Sequence, residues 1–185
     1  MEDFDFLHKE LSRVKEFFEK GNALKLRVLA NDLIRPASLE NNRSLARISV
    51  SAYCLHKLLN KHHVVEGKKW PATKKILSKS LDEALGALKK KDSALFRKEL
   101  SSLSDDIRKI DVETGRYVQG IFDKARVKYA SSAYYYGLSL SQAADLTNAD
   151  KSTLQKYIGF TKQHDEYEWI GIKKRVEKLR EAVES

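Results

Sequence analysis

Residues 4–22 of the chain are FDFLHKELSRVKEFFEKGN. Apolar side chains recur in this stretch in steps of three and four, at Phe4, Leu7, Leu11, Val14 and Phe18. That spacing puts them on one face of an α-helix. Gly21 and Asn22 then predict the end of the helix. Because two heptads are too few for a coiled coil, we expect the apolar stripe to pack against the rest of the protein.

Helical spacing continues along the chain, and no stretch predicts a β-strand. A second helix is predicted to end before Arg35-Pro36, because proline disfavours a helical conformation in the residue before it. Ser38 is predicted to cap a third helix, and residues 62–71 are predicted to form a loop. Further helices are predicted over about 76–88, 93–110, 112–136, 140–147, 151–158 and 165–183. The sequence therefore predicts an all-α, multi-helix bundle.

Length and composition limit the class of protein. The chain has 185 residues and a net charge of +9, with 33% charged and 42% hydrophobic residues, as expected of a globular protein. No apolar run reaches the about 20 residues of a membrane span, and the acidic N-terminus does not resemble a signal peptide. Cys54 is the single cysteine, which fits a reducing compartment. We expect a cytoplasmic protein with a helical body at 1–110 and a second region at 111–185.

Basic residues are concentrated between residues 57 and 98. This segment contains eleven lysines and one arginine against four acidic residues, which accounts for almost the whole excess of positive charge. A net positive charge favours polyanionic partners such as nucleic acid. We therefore expect lysines of this segment, Lys75 among them, to attract nucleic acid without regard to its sequence.

The most informative motif lies near the C-terminus, where residues 137–159 are GLSLSQAADLTNADKSTLQKYIG. Ser139 and Gln142 have the spacing of a capping box at the start of a helix. Ala144 is small enough to lie where two helices cross closely. Asn148 suits a turn that requires a left-handed backbone conformation. The segment therefore predicts two short helices joined by a tight turn.

The second short helix can be capped by Asp150 or Ser152. The side chains expected to face inward between the two helices are Leu140, Ala143, Ala149, Leu154 and either Tyr157 or Ile158. Residues 139–159 resemble the helix-turn-helix units of sigma factors, of resolvases and of the cyclin-like repeats of transcription factor B. The resemblance implies binding of duplex DNA, in keeping with a role in transcription regulation. A plain helical hairpin without that role is the alternative.

In a helix-turn-helix unit, the second helix enters the major groove by its N-terminal residues. The residues expected to contact DNA are Lys151, Ser152, Thr153, Gln155 and Lys156 on that helix, and Arg126 and Lys128 on the helix before the unit. A glutamine can pair with adenine through two hydrogen bonds, and a lysine can donate to guanine or to phosphate. Gln155 is therefore the expected sequence-reading residue.

The last predicted helix has an apolar stripe of its own, formed by Trp169, Ile172, Val176 and Leu179. Such a stripe must be covered by apolar surface. It either folds back on its own chain or pairs with a second copy or another protein.

No catalytic motif is present: the chain has no GxGxxG, P-loop, HExxH or GxSxG sequence. The all-helical HEPN ribonucleases place an arginine four residues before a histidine, and no histidine here has that neighbour. Cys54, His56, His62 and His63 are close in sequence, but a helix points Cys54 and His56 in different directions. We expect no enzymatic activity, no metal site and no cofactor.

Two alternatives to DNA binding belong to other classes. A non-catalytic helical adaptor, for example an antitoxin-like partner of a nuclease, would need an exposed apolar patch, from Trp70, Trp169 or the tyrosines at 134–136. An RNA-binding protein would need the lysines of 57–98 on one face, together with an exposed aromatic residue.

Overall fold

The computed structural model describes residues 3–114 and 120–159 and contains no strand within those ranges. The helices are, in chain order, α1 (Phe4–Glu19), α2 (Ala23–Leu39), α3 (Arg43–Leu59), α4 (His62–Val65), α5 (Trp70–Lys89), α6 (Ser93–Thr114), α7 (Ile121–Tyr135), α8 (Leu140–Thr147) and α9 (151–159). The predicted all-α class is confirmed. In these ranges, no helix combines the length and the apolar character that crossing a membrane requires. The helix predicted over 165–183, with its apolar stripe, lies outside the described residues.

The centre of the bundle is α3, which packs against α1, α2, α6, α7 and α8. Of its 17 residues, 12 are buried. Small residues allow neighbouring helices to approach it closely, and polar ones among them find backbone partners: Ser49 Oγ donates to the carbonyl oxygen of Ala30 over 2.7 Å. The amphipathic α1 packs the predicted stripe against this core, with Leu7, Leu11 and Val14 fully buried.

Three helix-to-helix connections are built in the same way. In each, one residue with positive φ is followed by a side chain that caps the next helix: Gly21 before Asn22, Asn41 before Asn42, and Lys91 before Asp92. The cap accepts a hydrogen bond of 2.9 to 3.0 Å from the backbone N–H three residues later. The second and third of these connections set α2 against α3 and α5 against α6 as antiparallel neighbours.

The prediction that the second helix ends before Pro36 was wrong, because α2 continues through this proline to Leu39. A proline inside a helix costs about 3 kcal/mol through its missing N–H and its ring. Burial of Ala37 and Ser38 on the next turn, with Ser38 Oγ donating to the Ile34 carbonyl over 2.7 Å, opposes that cost. Ser38 is therefore inside α2, and Asn42 caps α3.

Two further boundaries differ from the prediction. The segment 62–71 is not all loop, because α4 forms within it and α5 begins at Trp70 with proline in its first turn. The predicted long helix over 112–136 is divided: α6 continues through residue 110 to Thr114, and α7 begins after an extended Gly120. The division into regions at residue 110 stays a prediction.

The start of α7 is held by a side chain from α6. Asp111 Oδ2 accepts a hydrogen bond from the Ile121 N–H over 2.6 Å, and Asp111 Oδ1 lies 2.8 Å from Lys61 Nζ. Both charged side chains are largely buried. This buried ion pair fixes α7, the helix on which α8 packs.

Candidate nucleic-acid interface and the arginine cleft

The predicted capping box opens α8. Gln142 N–H donates to Ser139 Oγ over 3.2 Å, and Ser139 N–H donates to Gln142 Oε1 over 3.0 Å. The helix ends at Asn148, whose φ of 56° and ψ of 42° are the left-handed values predicted for this turn. The N–H of Ala149 closes the turn on the Ala144 carbonyl over 2.9 Å. Local chemistry thus fixes both ends of α8.

Asp150 caps α9. Its Oδ2 accepts hydrogen bonds from the Thr153 N–H over 2.7 Å and from the Thr153 hydroxyl over 2.6 Å. These two hydrogen bonds stabilise the carboxylate and lower the pKa of Asp150. Asp150 Oδ2 is therefore engaged with Thr153 at the start of α9.

The two short helices bury the small and apolar side chains between them and α7. Ala144 is 4% exposed, and Ala143, Leu154 and Ile158 are buried as predicted. Leu140 and Ala149, also predicted to face inward, are half-buried. Of the alternatives Tyr157 and Ile158, the structure buries Ile158 and leaves the tyrosine exposed. The packing therefore fixes which face of α9 points outward.

Four of the predicted DNA contacts, Lys151, Ser152, Gln155 and Lys156, have exposed side chains on α9. Thr153 is half-buried, and its hydroxyl is engaged with Asp150. The exposed set carries two positive charges and two hydrogen-bonding groups on one short helix.

The other two predicted contacts, Arg126 and Lys128, lie on α7 beside the start of α9. With Tyr53, Thr153 and six further residues, they line a groove of about 660 Å³. Lys128 Nζ lies 4.1 Å from the centre of the Tyr53 ring, a cation–π distance. The structure therefore brings Arg126, Lys128 and Thr153 together, next to the exposed face of α9.

The lysines of 57–98 are mostly on other elements. Their main carrier, α5, packs against α1 and α6, whereas α8 packs against α7 and α3. Some of these lysines have partners nearby: Lys74 Nζ donates to the Glu19 carbonyl over 2.8 Å, and Lys79 lies 3.6 Å from Glu83. The lysines on α5 are thus away from α9, whereas Lys57 Nζ on α3 lies 5.4 Å from the centre of the Tyr53 ring that lines the groove beside α9.

A second basic feature was missed from the sequence. A cleft of about 720 Å³ opens between α3, α6, α7 and the end of α8. Five arginines line it, and we call it the arginine cleft: Arg43, Arg47, Arg97, Arg108 and Arg126. Three carboxylates also line it, from Glu40, Asp105 and Asp145. One local signal was available, the i, i+4 pair Arg43 and Arg47, which shares a helix face.

Of Cys54 and the three nearby histidines, Cys54 and His56 are buried. Cys54 is buried, which raises the pKa of its thiol. His56 Nδ1 lies 2.8 Å from the Ala23 carbonyl oxygen, so this nitrogen carries the proton. His62 and His63 are exposed. In the part of the chain that the structure describes, no three His, Cys, Asp or Glu side chains converge as metal ligands.

Comparisons with protein-family models, with curated proteins and with solved structures give no match to this chain.

Proposed function

We propose that the chain binds duplex DNA through α8 and α9, with α9 lying in the major groove. One observation carries the proposal: two short, capped helices meet at a left-handed Asn148 and leave Lys151, Gln155 and Lys156 exposed on the second helix. A helix-turn-helix unit needs this arrangement, because its second helix must reach base edges while the first supports it from behind.

The exposed side chains of α9 supply both kinds of contact that a DNA reader needs. The amide of Gln155 can donate to adenine N7 and accept from adenine N6 at once, which discriminates between base pairs. Lys151 and Lys156 can donate to guanine or neutralise phosphates. Ser152 can donate to a backbone phosphate.

The surroundings of α9 add positive charge on one side. Lys128 and Arg126 lie in the adjoining groove, where the Lys128 ammonium makes a cation–π contact with the Tyr53 ring. Asp150 and Asp123 also line that groove. We therefore expect phosphate contacts mainly from the exposed lysines of α9, with Arg126 and Lys128 contributing less than the sequence predicts.

The test is a fluorescence anisotropy titration of duplex DNA, single-stranded DNA and RNA at two or more salt concentrations, with a preferred duplex first selected from a random pool. Gln155→Ala should weaken binding of the preferred duplex over a random one by about 1–3 kcal/mol, as loss of one bidentate base contact does. Lys75→Ala, on α5, is the control. It should weaken all sequences alike and lower the salt slope by at most about one unit.

Absence of binding to any nucleic acid would replace this proposal with the adaptor alternative. A specific observation favours that alternative: Tyr135 and Tyr136 are 52% and 43% exposed at the end of α7. Trp70, by contrast, packs edge-on against Phe18 with ring centres 6.2 Å apart. A preference for RNA that Gln155→Ala retains would favour the third hypothesis, RNA binding through the basic segment 57–98. That hypothesis needs an exposed aromatic residue, and both aromatic residues of the segment pack against the core.

A further inference from the structure

The arginine cleft concentrates more positive than negative side chains in one place. Arg47, Arg108 and Arg126 are half-buried there, and Arg43 and Arg97 are exposed at its rim. Long, charged side chains normally point away from each other into water, because like charges repel. Five arginines from three helices converge here instead, against three carboxylates.

The arginines of the cleft occupy two places, one around Arg47 and one around the Phe122 ring. Arg47 Nη1 donates to the backbone carbonyl of Arg97 over 3.5 Å, which joins α3 and α6, and Arg97 Nε donates to the Ser93 carbonyl over 3.2 Å. The guanidinium carbons of Arg108 and Arg126 lie 5.3 and 5.1 Å from the centre of the same Phe122 ring. The aromatic ring restrains both guanidinium groups by cation–π contact, so their forks are held in place before any ligand arrives.

In the described part of the chain, close ion pairs neutralise little of this charge, although three carboxylates line the cleft. Among residues 3–114 and 120–159, no carboxylate lies within 4 Å of the guanidinium nitrogens of Arg43, Arg47, Arg97 or Arg126. Asp105 lies 3.7 Å from Arg108. Burial, and then the neighbouring Arg97, lowers the pKa of Arg47; burial, and then Arg108, lowers the pKa of Arg126. An anion in the cleft would relieve this repulsion.

We propose that the arginine cleft binds a small free ligand with two adjoining phosphate groups, one beside Arg47 and one at Arg108 and Arg126. Guanidinium forks match phosphate oxygens through two parallel hydrogen bonds, which makes arginine the preferred residue for this task. Most of the remaining lining is polar, including Asn41, Asn42 and Ser101, with Val50, Phe122 and Leu146 as its apolar members, and it suits a hydrophilic ligand. The volume of about 720 Å³ lies within the range of about 300–1,000 Å³ typical of small-molecule sites.

The cleft shares Arg126 with the groove beside α9 but contains none of the proposed base-reading residues of α9, and the proposal stands whether or not the chain binds DNA. The cleft is bounded by Asp145, Leu146, Thr147 and Asn148 at the end of α8, while the reading residues begin at Lys151. A bound polyphosphate would therefore join α3, α6 and α7 next to the turn between α8 and α9.

The test uses the full chain and sodium pyrophosphate, with thermal unfolding and isothermal titration calorimetry at constant ionic strength. Pyrophosphate should raise the melting temperature progressively with its concentration, whereas sodium chloride of equal ionic strength should not. Arg47→Gln and Arg126→Gln should each weaken pyrophosphate binding about tenfold or more, because each removes charged hydrogen bonds to the ligand.

Arg35→Gln is the matched control, since Arg35 is an exposed arginine of α2 outside the cleft lining. It should leave pyrophosphate affinity within about twofold of the original. Arg97→Gln, at the exposed rim, keeps the test decisive if a half-buried variant does not fold. It should also weaken binding more than Arg35→Gln does.

A parallel titration with a short DNA duplex distinguishes the two sources of phosphate. Because Arg126 also lines the groove beside α9, this titration uses Arg47→Gln and Arg97→Gln. Pyrophosphate binding that is lost in these two variants, with duplex affinity changed no more than by Arg35→Gln, supports the proposal. Two results overturn it: no pyrophosphate binding by the original chain, or cleft variants that weaken only the duplex.

Discussion

Replacing Asp111 by alanine tests what holds α7, and with it α8 and α9, on the bundle. The Asp111 carboxylate lies 2.8 Å from Lys61 Nζ and accepts the 2.6 Å hydrogen bond from the Ile121 N–H. The two side chains are only 10% and 14% exposed. Alanine would leave the Lys61 ammonium without a counter-charge in a poorly hydrated place. It would also leave the first N–H of α7 without its acceptor.

Removing one partner of a buried, hydrogen-bonded ion pair costs about 3–5 kcal/mol. A chain of this size loses about 2–4 °C of melting temperature per kcal/mol. Asp111→Ala should therefore lower the melting temperature by about 6–20 °C. The measurement is urea and thermal unfolding followed by circular dichroism at 222 nm, the helix signal that all the described elements contribute to.

The control is Asp82→Ala, which removes an ion pair of similar length in a different environment. Asp82 Oδ1 lies 2.6 Å from Lys15 Nζ, but these side chains are 56% and 24% exposed. An exposed pair contributes about 0–1 kcal/mol, so this variant should unfold close to the original. Equal losses in the two variants, or a loss below about 1 kcal/mol in Asp111→Ala, would refute the argument from burial.

Two other substitutions probe the candidate site and the core. Ala144→Leu should destabilise the chain by about 1–3 kcal/mol in urea unfolding, because Ala144 is only 4% exposed and leaves no room for three more carbons. Unchanged stability would show that the two short helices do not cross closely at Ala144. Burial lowers the pKa of His56 below its ordinary 6.5, so the unfolded chain binds the proton more readily. Stability present above pH 6.5 should decline as the pH falls through and below that value, and His56→Gln should flatten the decline in a pH series of unfolding midpoints.

The features predicted correctly from the sequence are those determined by neighbouring residues. The helical class followed from apolar spacing. The Ser139–Gln142 capping box and the left-handed backbone of Asn148 both depend on residues only a few positions apart in the sequence. The errors have distant causes. Pro36 stays helical because the turn after it is buried, and α7 begins where a carboxylate ten residues earlier supplies its cap.

The arginine cleft shows the same limit more strongly. Its arginines extend from position 43 to position 126, so no window of sequence contains them together. The lysines of 57–98 are dense along the chain, but the structure distributes them over several helices. Charge density in the fold depends on which helices meet, and that depends on the packing around α3.

The repeated connection of a positive-φ residue and a capping Asn or Asp bears on how the chain folds. It joins α2 to α3 and α5 to α6, the two most extensive helix pairs in the described structure. Partners so close along the chain meet after closure of a very short loop, which costs little entropy. The contacts within each hairpin are therefore local in sequence and favour fast folding, whereas those of α1 with α5 and of α7 with α3 are long-range and slow it.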